Sequence, residues 1–571
     1  MNDRAGPEAA VPARRPEWES PRPLTAWLAG AWLVAAVAAA AAFRLADLDN
    51  RPMHCDEANQ ALKFGRVLER GEFVYDPHEH HGPSLSYLTL PAAHVSGAER
   101  LADLTETHLR IVPAVAGLLL VALAWPAGKS MGMVAACWSA TFTAVSSWMV
   151  FYSRYYIQEI LLVTFSFLAM VALWRCRGPT RRSAQPDKPV GARAWHQRAW
   201  WTLLLGLSLG MMHASKETCL VVWLVLGAAA IVARFGRPAA DRTPMLGRAA
   251  VVVLLAAGVS MLLFSSFGRR PQGIVDSIAA YGEYFGRAAG RGSAAAHEYP
   301  FSHYFRLLFW WRAPGGRLWS EWPVGVLALV GLVAAAAGKG LPRGSIKAAR
   351  FVALYAVLLT LAYSLIPYKT PWCALGPLHG MLLAAGFGAA VLIRMAPGRV
   401  GRAAVVVALL AAVAWESRQA WQASFVANTD PSNPMVYAHT TWDVPQLVEE
   451  IERIAAAHPD GLAMPIQVIC PEADYWPLPW YLRRFTRVGW LARMPHGPPA
   501  PLVVTQLSQE AELAEYLYVK QPPGHRDLFV PFPPKSSGQR WQLRPFVPLA
   551  VYVRLDLWQA YQAKQTAHRS G

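Results

Sequence analysis

Long apolar runs separated by polar connections organise this chain. They lie at roughly 25–43, 109–126, 131–151, 157–174, 200–213, 217–233, 249–267, 322–338, 351–366, 373–393 and 403–420. A helix needs about 20 such residues to cross the hydrocarbon core of a bilayer, so the pattern predicts a bundle of about eleven transmembrane helices. Two of the connections are long, 44–108 and 268–321. The first contains ANQALKFGRVLERG and GPSLSYLTLPAAHV, the second IVDSIAAYGEYFGRAAG and HYFRLLFWWRAP. Their mixed apolar and polar character predicts helices lying along the membrane interface, with Pro83 suited to the first turn of its helix. Two such loops on one face frame a groove where a lipid head group can meet a water-side acceptor.

After residue 420 the pattern changes. PQLVEEIERIAAAH (445–458) has helical spacing, IQVIC and PLVVTQL read as short buried strands, SQEAELAEYL as a helix capped by Ser508, and LAVYVRLDLW as another strand. The organisation expected is a disordered cytoplasmic leader over 1–22, a helical membrane domain over 23–420, and an extracytoplasmic α/β domain over 421–571. The last region holds no glycine-rich phosphate-binding signature, so nucleotide binding has no support there.

Composition agrees with a membrane class. Of 571 residues, 54% are hydrophobic and 16% charged, with 24 Trp and a mean hydropathy of +0.22. The net charge of +17 raises nucleic acid as a partner, and the placement of the charges argues against it. Arg175, Arg177, Arg181, Arg182, Lys188, Arg193 and Arg198 crowd one connection, and Arg234, Arg237, Arg242 and Arg248 another on the same side. With Arg14, Arg15 and Arg22 ahead of the first run, the positive-inside rule puts the N-terminus in the cytoplasm and the C-terminal region outside, in a multi-pass protein of the cell (inner) membrane. The arginines of the 268–321 loop run against the rule, which long loops obey poorly. The first apolar run is longer than a signal-peptide core and is expected to be retained. The six cysteines show no paired spacing, which gives neither a zinc knuckle nor a disulfide framework.

Chemistry concentrates at the outer ends of the runs. His54, Asp56 and Glu57 follow the first run in RPMHCDEA, and Arg154, Tyr155 and Glu159 head the fourth in YSRYYIQE. An acidic residue just outside a span is also an ordinary solvated loop end. One inside the boundary is costly and by default functional, the alternative for Glu159 being an ion pair with Arg154. Lys216 and Glu217 in ASKETCL read as a local structural pair, with His213 a satisfied interfacial histidine. In DPHEHHG, His78, Glu79 and His80 are weak candidates for a divalent metal, although adjacent residues rarely converge on one ion. Trp476, Trp480 and Tyr481 form an aromatic cluster suited to core packing or to stacking on sugar.

The set RPMHCDEA, HHGPSLSYL, YSRYYIQE, ASKETCL and PYKTPW, with WPLPWYLR in the tail, resembles the protein O-mannosyltransferase family and its relatives in the GT-C superfamily. Within that group it is most similar to a prokaryotic branch labelled a flippase activity-associated protein family. The resemblance implies a mannosyltransferase-like, inverting transfer of sugar from a polyprenyl-phosphate donor to an extracytoplasmic acceptor. It implies Asp56 as the general base, Glu57 in support by hydrogen bond or weak metal ligation, and His54, Tyr155 and Glu159 around the substrate. Inversion needs one carboxylate opposite the leaving group, because a lipid phosphate leaves without much acid help. A phosphate needs positive charge, for which Lys369 in PYKTPW, Arg154 and His81 are the candidates. Lys369 is also an ordinary interfacial anchor beside Tyr368 and Trp372. Histidine stands at 81 where relatives carry lysine, which leaves its charge open. A divalent metal is possible and no other cofactor is called for. The rival readings are a flippase for lipid-linked sugar, which predicts charges through both halves of the bilayer, and a non-catalytic envelope partner, which tolerates loss of Asp56 and Glu159.

Overall fold

The computed structural model describes residues 25–79, 81–176, 192–232, 243–288, 297–524, 526–533 and 539–570. The expected leader and the metal candidate His80 lie outside them. Every predicted apolar run falls on helix. Helix α1 (Ala26–Leu45) leads into two short amphipathic helices, α2 (Cys55–Arg70) and α3 (Ser84–Ser96). The bundle resumes with α4 (Glu106–Ala122) and α5 (Ala124–Met131), then α6 (Met133–Val145), α7 (Ser147–Ser153), α8 (Glu159–Arg175), α9 (Ala192–His213), α10 (Cys219–Val232) and α11 (Thr243–Phe264). The second long loop carries α12 (Gln272–Ala288), α13 (His303–Phe309) and a small hairpin, β1 (Trp311–Arg312) with β2 (Leu318–Trp319). Helices α14 (Trp322–Ala337), α15 (Ile346–Leu365), α16 (Leu375–Met395) and α17 (Gly398–Trp421) complete the bundle. Among the described residues, six helical segments are long and apolar enough to cross a membrane, seven with the bent pair α6–α7. The chain is a multi-pass membrane protein.

Without a hydrophobic drive between helices inside lipid, close packing depends on small residues. Helices α14 and α16 meet through Gly331 and Gly388. A Cβ on Gly331 would lie 2.0 Å from the Ala384 carbonyl oxygen, and one on Gly388 2.0 Å from that of Leu327.

The run at 131–151, expected as one span, is two helices bent by 60° at Ser146. A break inside a bilayer strands backbone groups that water cannot reach, and two charged side chains from elsewhere take them up. Arg44 of α1, fully buried, donates to the carbonyls of Thr143 and Ala144, both at 2.8 Å. Glu321, also fully buried, accepts from the hydroxyls of Ser146 (2.7 Å) and Ser147 (3.0 Å) and from the amide of Trp148 (3.1 Å). One side of the break is thus closed by a cation and the other by an anion, as the partial charges of helix ends require.

Beyond α17, a π-helical turn (Gln422–Val426) leads to a region built on a mixed sheet. It contains α18 (Asp443–Ala455), β3 (Ile466–Ile469), α19 (Leu478–Tyr481), β4 (Val488–Leu491), β5 (Leu502–Gln506), α20 (Glu510–Tyr518), β6 (Phe529–Pro531), β7 (Gln542–Arg544), β8 (Val547–Arg554) and α21 (Leu555–Ser570). The sheet order is β4-β3-β5-β8-β6, parallel across the first three strands and antiparallel beyond, with β7 on β8. Ser508 does not cap α20: a 3-10 turn over Leu507–Gln509 makes Gln509 the residue ahead of the helix. All six cysteines are free.

Candidate active site

The loop after α1 is held from both sides. His54 caps α2, its Nδ1 accepting the Asp56 amide at 3.1 Å, while the Glu57 carboxylate accepts the His54 amide at 3.1 Å. This reciprocal arrangement satisfies two otherwise orphaned donors. From the other side, the segment after α17 grips the same loop. Tyr437 offers its carbonyl to His54 Nε2 at 2.9 Å, Thr440 donates to the Met53 carbonyl at 2.6 Å, and the Met53 amide donates to the Tyr481 hydroxyl at 2.8 Å. His54 is buried, which lowers its pKa below the ordinary imidazole value.

The two acidic residues that follow point to different places. Glu57 is wholly buried. Its oxygens take a fork from Arg110 at 2.8 and 2.9 Å, the Tyr156 amide at 2.9 Å and a longer contact from Arg51. Burial by itself would raise the Glu57 pKa, but the two arginines more than reverse this and hold it at about 2. Both oxygens of Glu57 are thus engaged, which leaves it supporting the loop by hydrogen bond rather than by metal ligation. Asp56, in contrast, has 46% of its side chain exposed. It stands at the N-terminus of α2, where a negative charge is favoured by the helix dipole.

The other expected residues separate likewise. Arg154 is not paired with Glu159: it donates to the carbonyls of Phe43, Ala46 and Asp47 at the end of α1 and lies over the Phe425 ring. That use of the guanidinium corrects its assignment to donor phosphate. Glu159 is paired instead with Lys216, whose pKa burial would lower and Glu159 raises. Lys216 and Glu217 are therefore not a local pair. Glu217 accepts from Tyr75 at 3.0 Å and pairs with His81 at 2.9 Å. Burial opposes the charge on Glu217, and His81 brings it down to about 2. His81 also meets the Tyr284 hydroxyl at 2.9 Å, so it arrives with its counter-ion already supplied. Gly82 is required beside it, because a Cβ there would lie 2.2 Å from the Ala214 carbonyl oxygen. Tyr155 is buried beneath Arg51, 4.4 Å from guanidinium to ring centre. His213 is satisfied by Ser260, as expected.

Lys369 is buried and donates to the carbonyls of Tyr299 (3.0 Å) and Ile366, with no carboxylate ion pair among the described residues. Burial lowers its pKa. The sequence reading missed a second lysine of this kind. Lys63 lies two turns along α2 from Asp56, on the same face by the helical repeat. It is 6% exposed, and its ammonium group donates to the Glu79 carbonyl at 2.6 Å. Burial lowers its pKa to about 8, against the opposing fields of Glu79, Asp76 and Asp56. The spacing of seven residues from Asp56 was the available signal.

His78 is exposed and lies 3.6 Å from Glu283, and Glu79 uses its carbonyl on Lys63, so the described part of DPHEHHG gathers no ligand set. His54, Cys55 and Asp56 place one potential ligand atom each within 4.8 Å of one another. Both ring nitrogens of His54 are already engaged, so the group does not fit a metal without rearrangement. A small cleft is lined by the Glu159–Lys216 pair, Tyr363, Trp372 and the apolar Leu162 and Val222.

Residues 91–266 match the family model described as dolichyl-phosphate-mannose-protein mannosyltransferase. No curated protein matches the sequence. Among solved structures, ArnT from Cupriavidus metallidurans bound to undecaprenyl phosphate is similar with a TM-score of 0.61 at 15% identity, over 91% of this chain and 98% of that one. The Archaeoglobus fulgidus oligosaccharyltransferase tethered with an acceptor peptide is similar at 0.54 and 13% identity, over 86% of this chain and 71% of that one. The fold of this chain is the one these two solved structures share, the GT-C fold.

Proposed function

We propose that the protein is an inverting glycosyltransferase of the extracytoplasmic membrane face, taking a sugar from a polyprenyl-phosphate donor, with the N-terminus in the cytoplasm and the C-terminal region outside. The observation that carries this reading is the contrast at the start of α2. Asp56 is half exposed, while Lys63 and Lys369 are buried cations whose ammonium groups, among the described residues, bond to backbone carbonyls and form no carboxylate ion pair. A buried ammonium group without a counter-ion is costly, and an anionic substrate removes that cost. Asp56 accepts the proton of the acceptor hydroxyl as its oxygen attacks the anomeric carbon, and the bond from that carbon to the phosphate oxygen breaks. The departing phosphate gains charge, which in this reading Lys369 and Lys63 stabilise. The cleft, apolar along Leu162 and Val222, suits the first units of a prenyl chain. Mannose is the sugar suggested by the matched family model. Glu57, Arg110 and Arg51 position the loop without touching substrate. The test is transfer of labelled sugar from a panel of polyprenyl-phosphate donors into membrane acceptors, with Asp56→Asn at matched expression. No transfer from any donor, with donor crossing the bilayer equally in both proteins, supports the flippase reading instead.

A further inference from the structure

Glu321 is not the only acidic group at the α6–α7 break. Glu416 of α17 is fully buried, and neither oxygen of its carboxylate has a hydrogen-bond partner. It lies within the field of Glu321. The two segments are fastened on either side of it: Trp415 Nε1 donates to the Ser320 carbonyl at 2.9 Å and Gln419 Nε2 to that of Leu318 at 3.2 Å.

The cations that approach this place are committed elsewhere. Arg44 is spent on the carbonyls of Thr143 and Ala144. Arg317 bonds to Gln422 and lies over the Trp319 ring, and Arg418 on α17 is exposed. On the packed elements, Tyr152 of α7 donates to the Met435 carbonyl and His379 of α16 packs against Phe167. Glu321 is thus the charged group that acts on Glu416. Two buried carboxylates in each other's field cannot both be ionised without a compensating charge.

We propose that Glu416 and Glu321 together bind one monovalent cation, a proton or an alkali-metal ion, that supplies the positive charge the protein does not. Glu321 already has hydroxyl and amide donors that favour its ionised form. The bound cation therefore resides mainly on Glu416, whose oxygens are free to receive it. Its place in the fold gives it consequence. Helix α17 runs on into the segment that carries Tyr437 and Thr440 to the loop before α2. Helix α7 runs on into Arg154 and Tyr155. The cation seats these two elements against each other. This inference does not depend on the transfer reaction.

The test uses the full-length protein in detergent, wild type beside Glu416→Gln. Melting is followed across neutral to alkaline pH in sodium, potassium and choline chloride, and the infrared carbonyl band of neutral carboxylic acids is recorded at neutral pH. A bound proton gives a band that Glu416→Gln loses, and wild-type melting that falls by several degrees as pH rises while the variant's stays level. The direction follows from linkage: a proton held by the folded protein and released on unfolding makes stability fall as pH rises. A bound alkali ion gives no band, and a wild-type melting temperature that drops in choline while the variant's does not. Either result upholds the site and identifies its occupant. Wild type and variant with the same band and parallel melting profiles in every buffer overturn it. Glu416→Ala takes the same measurements if glutamine disturbs the packing of α17.

Discussion

Asp56 and Glu57 are chain neighbours in one helical turn, yet the regions on their two sides are opposites. Behind α2, Glu57 joins Arg110, Arg51 and two backbone amides in a fully buried cluster in which both of its carboxylate oxygens are bonded. In front, Asp56 is exposed, and Lys63 and Lys369 have only carbonyls to bond. The back region makes every charge pay its own desolvation by pairing. The front region, among the described residues, leaves its two lysines without a carboxylate ion pair, the arrangement on which the proposed donor site rests.

Substitutions at five positions break or sharpen this contrast. The largest effect is expected from Asp56→Asn, which leaves the melting temperature near that of wild type and lowers transfer by about 10²- to 10⁴-fold, the usual contribution of a general base. Next is Glu57→Ala, expected to act on stability. Removing one member of a buried ionic cluster costs about 3–5 kcal/mol, read as a lower melting temperature and reduced yield. The acid side of the stability profile reports the same cluster. The Glu57 pKa falls from its ordinary 4.5 to about 2, so its stabilisation is present above pH 4.5 and is lost as pH falls toward 2.

Third, Lys63→Met and Lys369→Met are each expected to raise the KM for donor by roughly ten- to a hundredfold, as for loss of a charged hydrogen bond of about 1.5–3 kcal/mol, with folding intact. Lys63 adds a pH signature. Donor binding needs its charged form, so affinity falls as pH rises through about 8, and Lys63→Arg removes that fall. The smallest effect is expected from His54→Asn, which keeps an N-cap acceptor and loses only the Tyr437 bond. His54→Ala also loses the cap, at about 1 kcal/mol.

The spans, the interfacial helices and the strands of the C-terminal region were legible because periodicity is local. The capping of α2 by His54 and Glu57, which sets Asp56 at the helix start, was not read from the sequence. What the sequence hid was the matching of charges. Arg154 and Glu159 are close in the chain and an ion pair between them was the alternative reading, but Glu159 finds Lys216 across the bundle and Arg154 closes the end of α1. Glu57 finds Arg110, 53 residues away. Such pairings depend on which helices become neighbours, which no window of sequence records. The break at Ser146 was hidden for a similar reason. No proline or glycine marks it, and the side chains that make it tolerable, Arg44 and Glu321, come from distant parts of the chain.

That last fact sets an order of events during synthesis. The α6–α7 segment leaves the ribosome with its carbonyls already within reach of Arg44, but its amide and hydroxyl donors have no acceptor until residue 321 has been made. Until then the kink is a half-closed structure in an apolar medium. The bent span can reach its final shape only after more than half of the protein has been translated, which makes the arrival of α14 a checkpoint in the biogenesis of the whole bundle.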